Sequence, residues 1–536
     1  MDKQTQMEFN HISRLFQAGK VKQAKAAVLA ALPRHPRAFF LHNIHGAIDG
    51  TMGQWPAAQK HFQKAVKVNP KSFDALRNLG NACRACGDLN GAQKHLTKAL
   101  QLNAKFAEGW CSIGIVYLDK DQHEKAVDAF RKALKIRPQF VEAAVNLMIQ
   151  LDRGNQIEDL RGAVRAAQKT MPDHAVTTLF EGVLLEREED YEAARAKLGS
   201  VHFDHSKTHV NADLELVRLN RLAKINDRLE NADIAYGQFL EANAINAQKL
   251  ASAKVSAKRF TDGLQARLAY YQPGFSDGWA ERAQITEAPV FMVGFPRSGT
   301  TLLDTFLRGH PSVDVIEEKP LVYEMRQALG VEESLDFAAL NGLSEGRLST
   351  VARGYLRQRN ALGKAEILVD KLPLNLAYAG EILRCFPQAK FILSLRDPAD
   401  AVFSAFMQSF KLNDAMASFD TPENAARSYD QAFRIWQQVS AELGPAAITL
   451  KYEDLIAGQR AALKPITAFL GVEWDEALLD HQKTAQSRGQ IGTSSYAQVV
   501  QPIYQTAVAR WERYAHLMPE ALEILAPWRK EFGYSD

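Results

Sequence analysis

Small and apolar residues recur with a period of 34 over roughly the first two hundred residues of the chain. One position of the period carries glycine, two carry alanine and one carries proline, while a larger apolar residue stands between the two alanines. The members are Gly46, Gly80, Gly114 and Gly182; Ala24, Ala58, Ala92, Ala126 and Ala194; Ala31, Ala65, Ala99, Ala133 and Ala167; Pro36, Pro70, Pro138 and Pro172; and Val28, Phe62, Leu96, Phe130, Val164 and Leu198. This pattern predicts stacked pairs of antiparallel helices, in which small residues allow close approach, the bulky residue fills the gap between units and proline ends the second helix.

The register places the repeat units at 5–38, 39–72, 73–106, 107–140, 141–174 and 175–208. A 34-residue unit with small residues at these offsets resembles the tetratricopeptide repeat. The resemblance implies an all-α superhelix over residues 1–208, whose concave groove binds an acceptor protein or peptide. Residues 209–285 look helical without the signature, and we expect them to form a cap and linker.

The pattern changes near residue 285, where short apolar runs begin to alternate with helical stretches. The runs are 289–293, 367–369, 391–395 and 447–450, each about as long as a buried strand of a parallel sheet. The helical stretches between them are 301–307, 376–385, 399–410 and 425–442. This alternation predicts an α/β domain with a central parallel sheet over residues 286–536, so the chain as a whole is multidomain.

Composition fits a folded, multidomain chain: 536 residues, 46% hydrophobic and 24% charged. The formal net charge of +3 gives no argument for nucleic acid as a partner. No apolar run is long enough to predict a membrane span, and four cysteines do not suggest an oxidised fold, so we expect a cytoplasmic protein. Whether the chain forms a homodimer is left open.

The run Gly294–Thr301 follows the first predicted strand and precedes a helix. A glycine-bounded turn at a helix N-terminus directs backbone N–H groups toward an anion. The spacing matches a Walker A loop, but Thr300 stands where that loop carries lysine, and the available cation is Arg297. This substitution argues against a kinase that uses ATP with Mg²⁺.

The sequence Pro-Arg-Ser-Gly-Thr-Thr after an apolar strand resembles the 5′-phosphosulfate loop of sulfotransferases that use 3′-phosphoadenosine 5′-phosphosulfate (PAPS). A second run, Phe391–Ser404, is similar to the 3′-phosphate element of that family. The resemblance implies a P-loop-like fold that binds PAPS as co-substrate without a metal. It assigns the nucleotide to Arg297, Ser298, Gly299, Thr300, Thr301, Arg396 and Ser404.

Within that family the chain resembles the tyrosylprotein sulfotransferases and bacterial proteins that fuse tetratricopeptide repeats to such a domain. Arg297 also joins the catalytic set, because its guanidinium meets charge on the transferred group. The resemblance implies further roles for five residues: Glu318 as catalytic base, Lys371 as catalytic cation, Ser495 as transition-state donor, Tyr452 near adenine and Arg510 on the 3′-phosphate. The tyrosylprotein enzymes carry an arginine after the glutamate pair, where this chain has Lys319, so the resemblance does not fix the acceptor.

The predicted function is transfer of a sulfuryl group from PAPS to a hydroxyl, with protein tyrosine, a glycan and a small hydroxyl compound as open acceptors. The alternative is a repeat scaffold whose C-terminal domain only senses a nucleotide. The sequence gives two weak metal candidates, the pair Cys83 and Cys86 and the group His202, Asp204, His205 and His209. We expect neither to bind a metal, since the cysteines stand alone in a helix and the histidines end a degenerate repeat.

Overall fold

The computed structural model describes residues 3–253, 255–410, 413–487 and 508–534. The chain divides into two compact units, Met1–Val201 and His202–Asp536. The first unit is helical throughout its described secondary structure, and the second contains the parallel sheet.

In the first unit, the helices follow one another in pairs, which confirms the predicted all-α repeat fold, while the bounds of the single units stay a prediction. The helices are α1 (Lys3–Gln17), α2 (Val21–Ala31), α3 (Phe39–Thr51), α4 (Trp55–Val68), α5 (Phe73–Ala85), α6 (Leu89–Leu102), α7 (Ala107–Asp119), α8 (His123–Ile136), α9 (Val141–Arg153), α10 (Ile157–Thr170), α11 (Ala175–Arg187) and α12 (Tyr191–Gly199).

The glycine of each signature lets the two helices of one unit touch. A Cβ added to Gly46 would lie 2.7 Å from the Phe62 ring, and one added to Gly114 would lie 2.6 Å from the Phe130 ring. The bulky residue therefore packs on the glycine of its own unit. Phe62 also belongs to the same apolar cluster as Leu79 and Ala82 of the next unit, as expected for a residue that fills the gap between units.

The second unit begins with helices α13 (His209–Arg228), α14 (Ala232–Ala253) and α15 (Ala257–Tyr270). The sequence analysis placed these helices in a cap and linker. In the structure, Phe239 of α14 and Leu264 of α15 belong to the same apolar core as Phe291 and Phe391 of the sheet. These helices therefore help to form the hydrophobic core of the unit that carries the sheet.

The remaining elements alternate between strand and helix, as predicted. They are β1 (Val290–Gly294), α16 (Thr300–Leu307), β2 (Val313–Glu317), α17 (Leu321–Leu329), α18 (Glu345–Leu362), β3 (Ile367–Lys371), α19 (Ala379–Cys385), β4 (Lys390–Leu395), α20 (Pro398–Phe406), α21 (Pro422–Leu443), β5 (Ala447–Lys451), α22 (Tyr452–Ala457), α23 (Gln459–Leu470), α24 (His481–Ser487) and α25 (Pro519–Glu531).

Among the described residues the sheet has five parallel strands in the order β2-β3-β1-β4-β5. The predicted fold class is confirmed, but the sequence analysis missed β2. That strand, Val-Asp-Val-Ile-Glu, carries acidic residues at its second and last positions and so does not form an apolar run. Because all strands are parallel, their carboxyl ends lie along one edge, where ligands of α/β proteins bind.

In the described part of the chain, every helix is too short or too polar to span a lipid bilayer.

Candidate active site

The loop after β1 is held tightly against β4. A Cβ on Gly294 would collide with the carbonyl oxygen of Ser394, and the Ser394 hydroxyl donates a 2.7 Å hydrogen bond to the carbonyl oxygen of Ser298. Gly299 has φ 89° and forms the N-terminal cap of α16, a backbone conformation that side chains disfavour. Arg297 also has positive φ, at 73°, so the loop places its guanidinium at the cost of local strain. The predicted contacts Ser298, Thr300 and Thr301 are buried here, next to backbone N–H groups of the first turn of the helix.

Several predicted nucleotide residues form a connected group beside this loop. Arg297 Nε donates to Ser404 Oγ at 3.1 Å, and Arg396 donates through Nη1 to the carbonyl oxygen of Arg297 at 3.2 Å. The Arg396 guanidinium also lies 5.1 Å from the centre of the Tyr452 ring. Tyr452 in turn packs on Gly299, since a Cβ there would lie 2.6 Å from its Cδ2. The structure thus brings these residues together, and their contact with a nucleotide stays a prediction.

The predicted base and cation meet at the ends of β2 and β3. Lys371 is the last residue of β3, its side chain is 0% exposed, and its Nζ lies 3.1 Å from Glu318 Oε1 and 3.2 Å from Glu317 Oε1. Glu318 follows β2 with φ 49°, and its backbone N–H donates to the carbonyl oxygen of Lys371 at 2.9 Å. Strand pairing sets this geometry, because Glu317 and Lys371 are register partners.

A buried carboxylate under this cluster escaped the sequence analysis. Asp304 of α16 is 0% exposed, and its Oδ2 lies 4.0 Å from Lys371 Nζ. Arg308 Nε donates to its other oxygen at 2.6 Å. Asp304 thus ties the helix of the anion loop to the lysine of the neighbouring strand. The signal in the sequence is its position one turn into that helix, four residues before Arg308.

Asp400 is the second residue that sequence reasoning missed. Its carboxylate accepts hydrogen bonds from the backbone N–H groups of Ala509 at 2.7 Å and Trp511 at 3.3 Å, and it lies 3.6 Å from Arg396 Nη2. Burial raises the pKa of Asp400, although the charge of Arg396 opposes this shift. The i, i+4 spacing of Arg396 and Asp400 on the turn into α20 is the signal that would have found it.

The C-terminal segment lies close to the site, but the predicted contact Arg510 points elsewhere. Its guanidinium is paired with Asp227 of α13, which also accepts from Arg513 at 2.9 Å and from the Tyr514 hydroxyl at 2.6 Å. The backbone around Arg510 is fixed by Asp400, whereas its side chain is held by α13. Ser495 lies outside the described residues.

One carboxyl near the site has a strongly shifted acidity. Asp370, next to Lys371 in β3, is buried, and this burial raises its pKa to about 7, against which the Tyr355 hydroxyl hydrogen bond acts. Lys371 faces the carboxylates of Glu317 and Glu318 at the sheet edge, whereas Asp370 packs with α18 through Tyr355.

The weak metal candidates of the sequence do not form a ligand group in the described residues. Cys83 is buried and accepts from Gln59 Nε2, whereas Cys86 is exposed. His202 pairs with Glu215 at 2.9 Å, and the side chain of His209 is not among those described.

Together, the parallel sheet, the glycine-bounded loop without lysine and the lysine–carboxylate cluster define an α/β domain with a candidate anion site at the carboxyl edge of its sheet. A family model described as "Sulfotransferase family" matches residues 289–476. Tetratricopeptide repeat models match residues 61–94, 80–121 and 107–140. The matches thus place similarity to tetratricopeptide repeats before similarity to a sulfotransferase domain, in the order that the sequence analysis predicts.

Relatives found by sequence comparison are similar to this chain at modest identity and over part of their length. An uncharacterized protein of Aquifex aeolicus is 26% identical over 57% of this chain and 40% of its own length. Protein-tyrosine sulfotransferase 2 of Gallus gallus is 28% identical over 46% of this chain and 69% of its own length. The chain thus spans less than half of the first of these relatives. Among solved structures, a tetratricopeptide repeat protein from Parabacteroides merdae has 17% identity and a TM-score of 0.36, covering 46% of this chain and 94% of that one.

Proposed function

We propose that the second unit is a sulfotransferase that moves a sulfuryl group from PAPS to an acceptor hydroxyl. The observation that carries the proposal is the burial of the Lys371 ammonium between Glu317 and Glu318, on the strand next to the anion loop. A nucleotide-sensing scaffold needs phosphate contacts but not a cation paired with a carboxylate base. This arrangement therefore favours an enzyme over the scaffold.

The residues present fit the nucleotide. Arg297, Arg396 and Ser404 supply charged and hydroxyl donors that converge beside the loop. Gly299 lets Tyr452 pack against the loop, and the Tyr452 ring offers an aromatic face for a base. Bound there, PAPS would supply an activated sulfuryl group and a phosphate leaving group.

The chain's own residues divide the work by their chemistry. Arg297 and the loop N–H groups bind anionic oxygens, because a guanidinium donates two parallel hydrogen bonds. Within the described residues, the Lys371 ammonium donates hydrogen bonds to Glu317 and Glu318. An ammonium has three N–H donors, so the third can stabilise negative charge that develops on the transferred group. Glu318, whose side chain is 42% exposed, takes the proton of the acceptor hydroxyl.

For the acceptor we propose protein tyrosine. The relatives named protein-tyrosine sulfotransferase support this choice, and a phenol, with a pKa of about 10, gives up its proton more easily than an aliphatic alcohol. The tetratricopeptide repeats of the first unit suit the binding of an acceptor protein or peptide. Location in the cytoplasm stays a prediction, and nothing observed supports a homodimer.

The test is incubation of the full chain with PAPS and three matched peptides that differ only in tyrosine, serine or phenylalanine at one position. Mass spectrometry should find a sulfated tyrosine peptide and an unchanged phenylalanine peptide. Sulfation of serine alone would overturn the tyrosine acceptor. No transfer to any peptide, to a protein extract, to glycans or to small phenols and alcohols, with 3′,5′-ADP still bound, would favour the nucleotide sensor instead.

Nucleotide binding is measured separately by the rise in melting temperature with 3′,5′-ADP. We expect a rise without Mg²⁺. A response to ATP with Mg²⁺ and none to 3′,5′-ADP would contradict the assignment of the loop.

A further inference from the structure

A polar cluster replaces the apolar core of one repeat in the first unit. We use "histidine cluster" for His45 and Asp49 of α3 with His61 of α4. The same three positions of other units are mostly apolar: Leu79, Ile113 and Leu147 for the first, Cys83, Tyr117 and Leu151 for the second, and Ala27, Ala129 and Ala163 for the third. Folding of the repeat does not require this polarity, and burying such groups costs free energy.

The three side chains converge on one carboxylate oxygen. Asp49 Oδ2 lies 3.7 Å from His45 Nε2 and 4.0 Å from His61 Nε2. The side chains of His45 and Asp49 are 4% and 2% exposed, whereas that of His61 is 19% exposed. The i, i+4 spacing on α3 places the first two on one face, and α4 brings the third.

The cluster is incompletely satisfied by the protein alone. Among the described residues, Nδ1 of His45 and Nδ1 of His61 are buried without a hydrogen-bond partner. Lys25 pairs with Asp49 Oδ1 at 2.8 Å and leaves the other oxygen facing the imidazoles. A partly satisfied polar network in a helix core is more costly than an apolar one. An ion held by the two Nε2 atoms and Asp49 Oδ2 would leave both Nδ1 atoms unpaired, but it would add three ligand bonds to the network and so stabilise the repeat.

We propose that the histidine cluster binds one divalent transition-metal ion of the zinc type. Two imidazoles and a carboxylate are ligands that zinc takes at about 2.0–2.2 Å, in a set of three that leaves a position for water. Tetrahedral coordination at those lengths needs ligand atoms roughly 3.4 Å apart, slightly closer than the distances found here. His61 is the side chain with room to close the gap, since it is the most exposed of the three.

An ion can reach the cluster from the surface. His61 lines a depression of about 350 Å³, whose wall also carries Lys60 and Lys64. These lysines and Lys25 disfavour a cation electrostatically. We therefore expect weaker binding than at a structural zinc site made of cysteines.

The test uses the full chain, stripped with a chelator and then dialysed against zinc chloride, with zinc counted per chain. The variant is His61→Ala, because other repeats already carry alanine there and fold. The matched control is His95→Ala, which removes the histidine at the same position of the next repeat. We expect one zinc fewer per chain in His61→Ala than in the natural chain and in His95→Ala. With zinc at a hundredfold excess over Kd, the melting temperature should rise by about 5 °C or more, and this rise should vanish in His61→Ala.

A second variant separates metal binding from a purely structural role. His45→Leu restores the residue that Leu79 supplies in the next repeat, so it should raise the melting temperature of the zinc-free chain and abolish the zinc response. Equal zinc content in the natural chain and in both variants would overturn the proposal. Loss of zinc to the same extent in His95→Ala would also overturn it, as would absence of bound zinc in the natural chain.

Discussion

Lys371 and Glu318 are linked twice: the ammonium lies 3.1 Å from Glu318 Oε1, and the Glu318 backbone N–H donates to the Lys371 carbonyl oxygen at 2.9 Å. The second link holds Glu318 in the left-handed backbone region, at φ 49°. The position of the carboxylate is therefore set by β3 rather than by the flexible reach of a loop. The proposed base and the proposed cation stand at the ends of two paired strands, so they keep their spacing while an acceptor enters.

Replacing Glu318 by Gln should abolish the base while keeping the shape of the side chain. We expect kcat to fall at least about a hundredfold and 3′,5′-ADP affinity to change little, because a general base contributes about 10²–10⁴ in rate. The matched control is Glu317→Gln, which also removes a carboxylate from Lys371 but has a side chain only 17% exposed. A larger loss of kcat in the control than in Glu318→Gln would assign the base to Glu317.

Replacing Lys371 by Met should remove the cation that meets developing charge. Donors prepositioned in this way are each worth about 3 kcal/mol, so kcat should fall by roughly two orders of magnitude. The control is Lys390→Met at the amino end of β4, where the ammonium donates to the carbonyl oxygen of Phe469. Unchanged kcat in Lys371→Met, with protein folded by circular dichroism, would remove the lysine from the mechanism.

Replacing Arg396 by Ala should act on nucleotide affinity. Arg396 holds the loop through the carbonyl oxygen of Arg297 and carries the charge expected for a phosphate, so we expect Kd for 3′,5′-ADP to rise about 10- to 100-fold. The control is Arg434→Ala, an exposed partner of Asp430 on α21. The Kd for 3′,5′-ADP is measured by calorimetry in each variant. If Glu318→Gln raises this Kd as much as Arg396→Ala does, the proposed division between binding and catalytic residues is wrong.

The sequence alone located much of this architecture. Repetition revealed the helical units, and apolar runs revealed four of the described strands, because buried strands need continuous apolar faces. It could not reveal β2, whose Asp314 and Glu317 break the run. Pairing of β2 with β3 through those positions is a property of the sheet, not of the local pattern.

The candidate site has the same limit: the local sequence pattern does not show which side chains the fold brings into contact. Glu318, Lys371 and Arg297 stand at or just after strand ends within motifs, so the sequence alone names them as candidates. Asp304 and Asp227 are single acidic residues on helices, and what they hold is decided only by packing. Arg510 is the opposite case. Its motif predicts a contact with the 3′-phosphate, whereas in the structure its guanidinium pairs with the Asp227 carboxylate.

Replacing Gly299 by Ala tests whether the loop needs its backbone shape. At φ 89° a Cβ is strained, and it would lie 2.6 Å from the Tyr452 ring. The left-handed conformation costs a residue with a Cβ about 1–2 kcal/mol, so we expect 3′,5′-ADP affinity to fall about 5- to 30-fold. Tyr452→Ala relieves the clash but not the strain, and it also removes the aromatic face proposed for the base. Gly299→Ala is therefore repeated in the Tyr452→Ala background, where affinity, measured relative to Tyr452→Ala alone, should recover only in part if both causes act. Full recovery would exclude the strain, and no loss at all in Gly299→Ala would show that the loop adapts freely.

Asp370 gives the second unit a pH dependence with a defined sign. Burial raises its pKa to about 7 in the folded chain, against an ordinary value of 3.8. Between these values the folded chain binds more protons than the unfolded chain, so this group makes the free energy of unfolding fall as pH rises. From pH 5 to pH 7 the loss should be about 2 kcal/mol.

Asp370→Asn removes the titration and keeps an oxygen for the Tyr355 hydroxyl. Hydrogen exchange of the β3 amides, corrected for the intrinsic exchange rate, should therefore depend less on pH in this variant than in the natural chain. Tyr355→Phe is the complementary change, because it removes a hydrogen bond that stabilises the Asp370 carboxylate. The pKa of Asp370 should then rise, and the fall in the free energy of unfolding should continue to higher pH. Identical pH dependence in the natural chain and Asp370→Asn would mean that Asp370 stays ionised in the sheet.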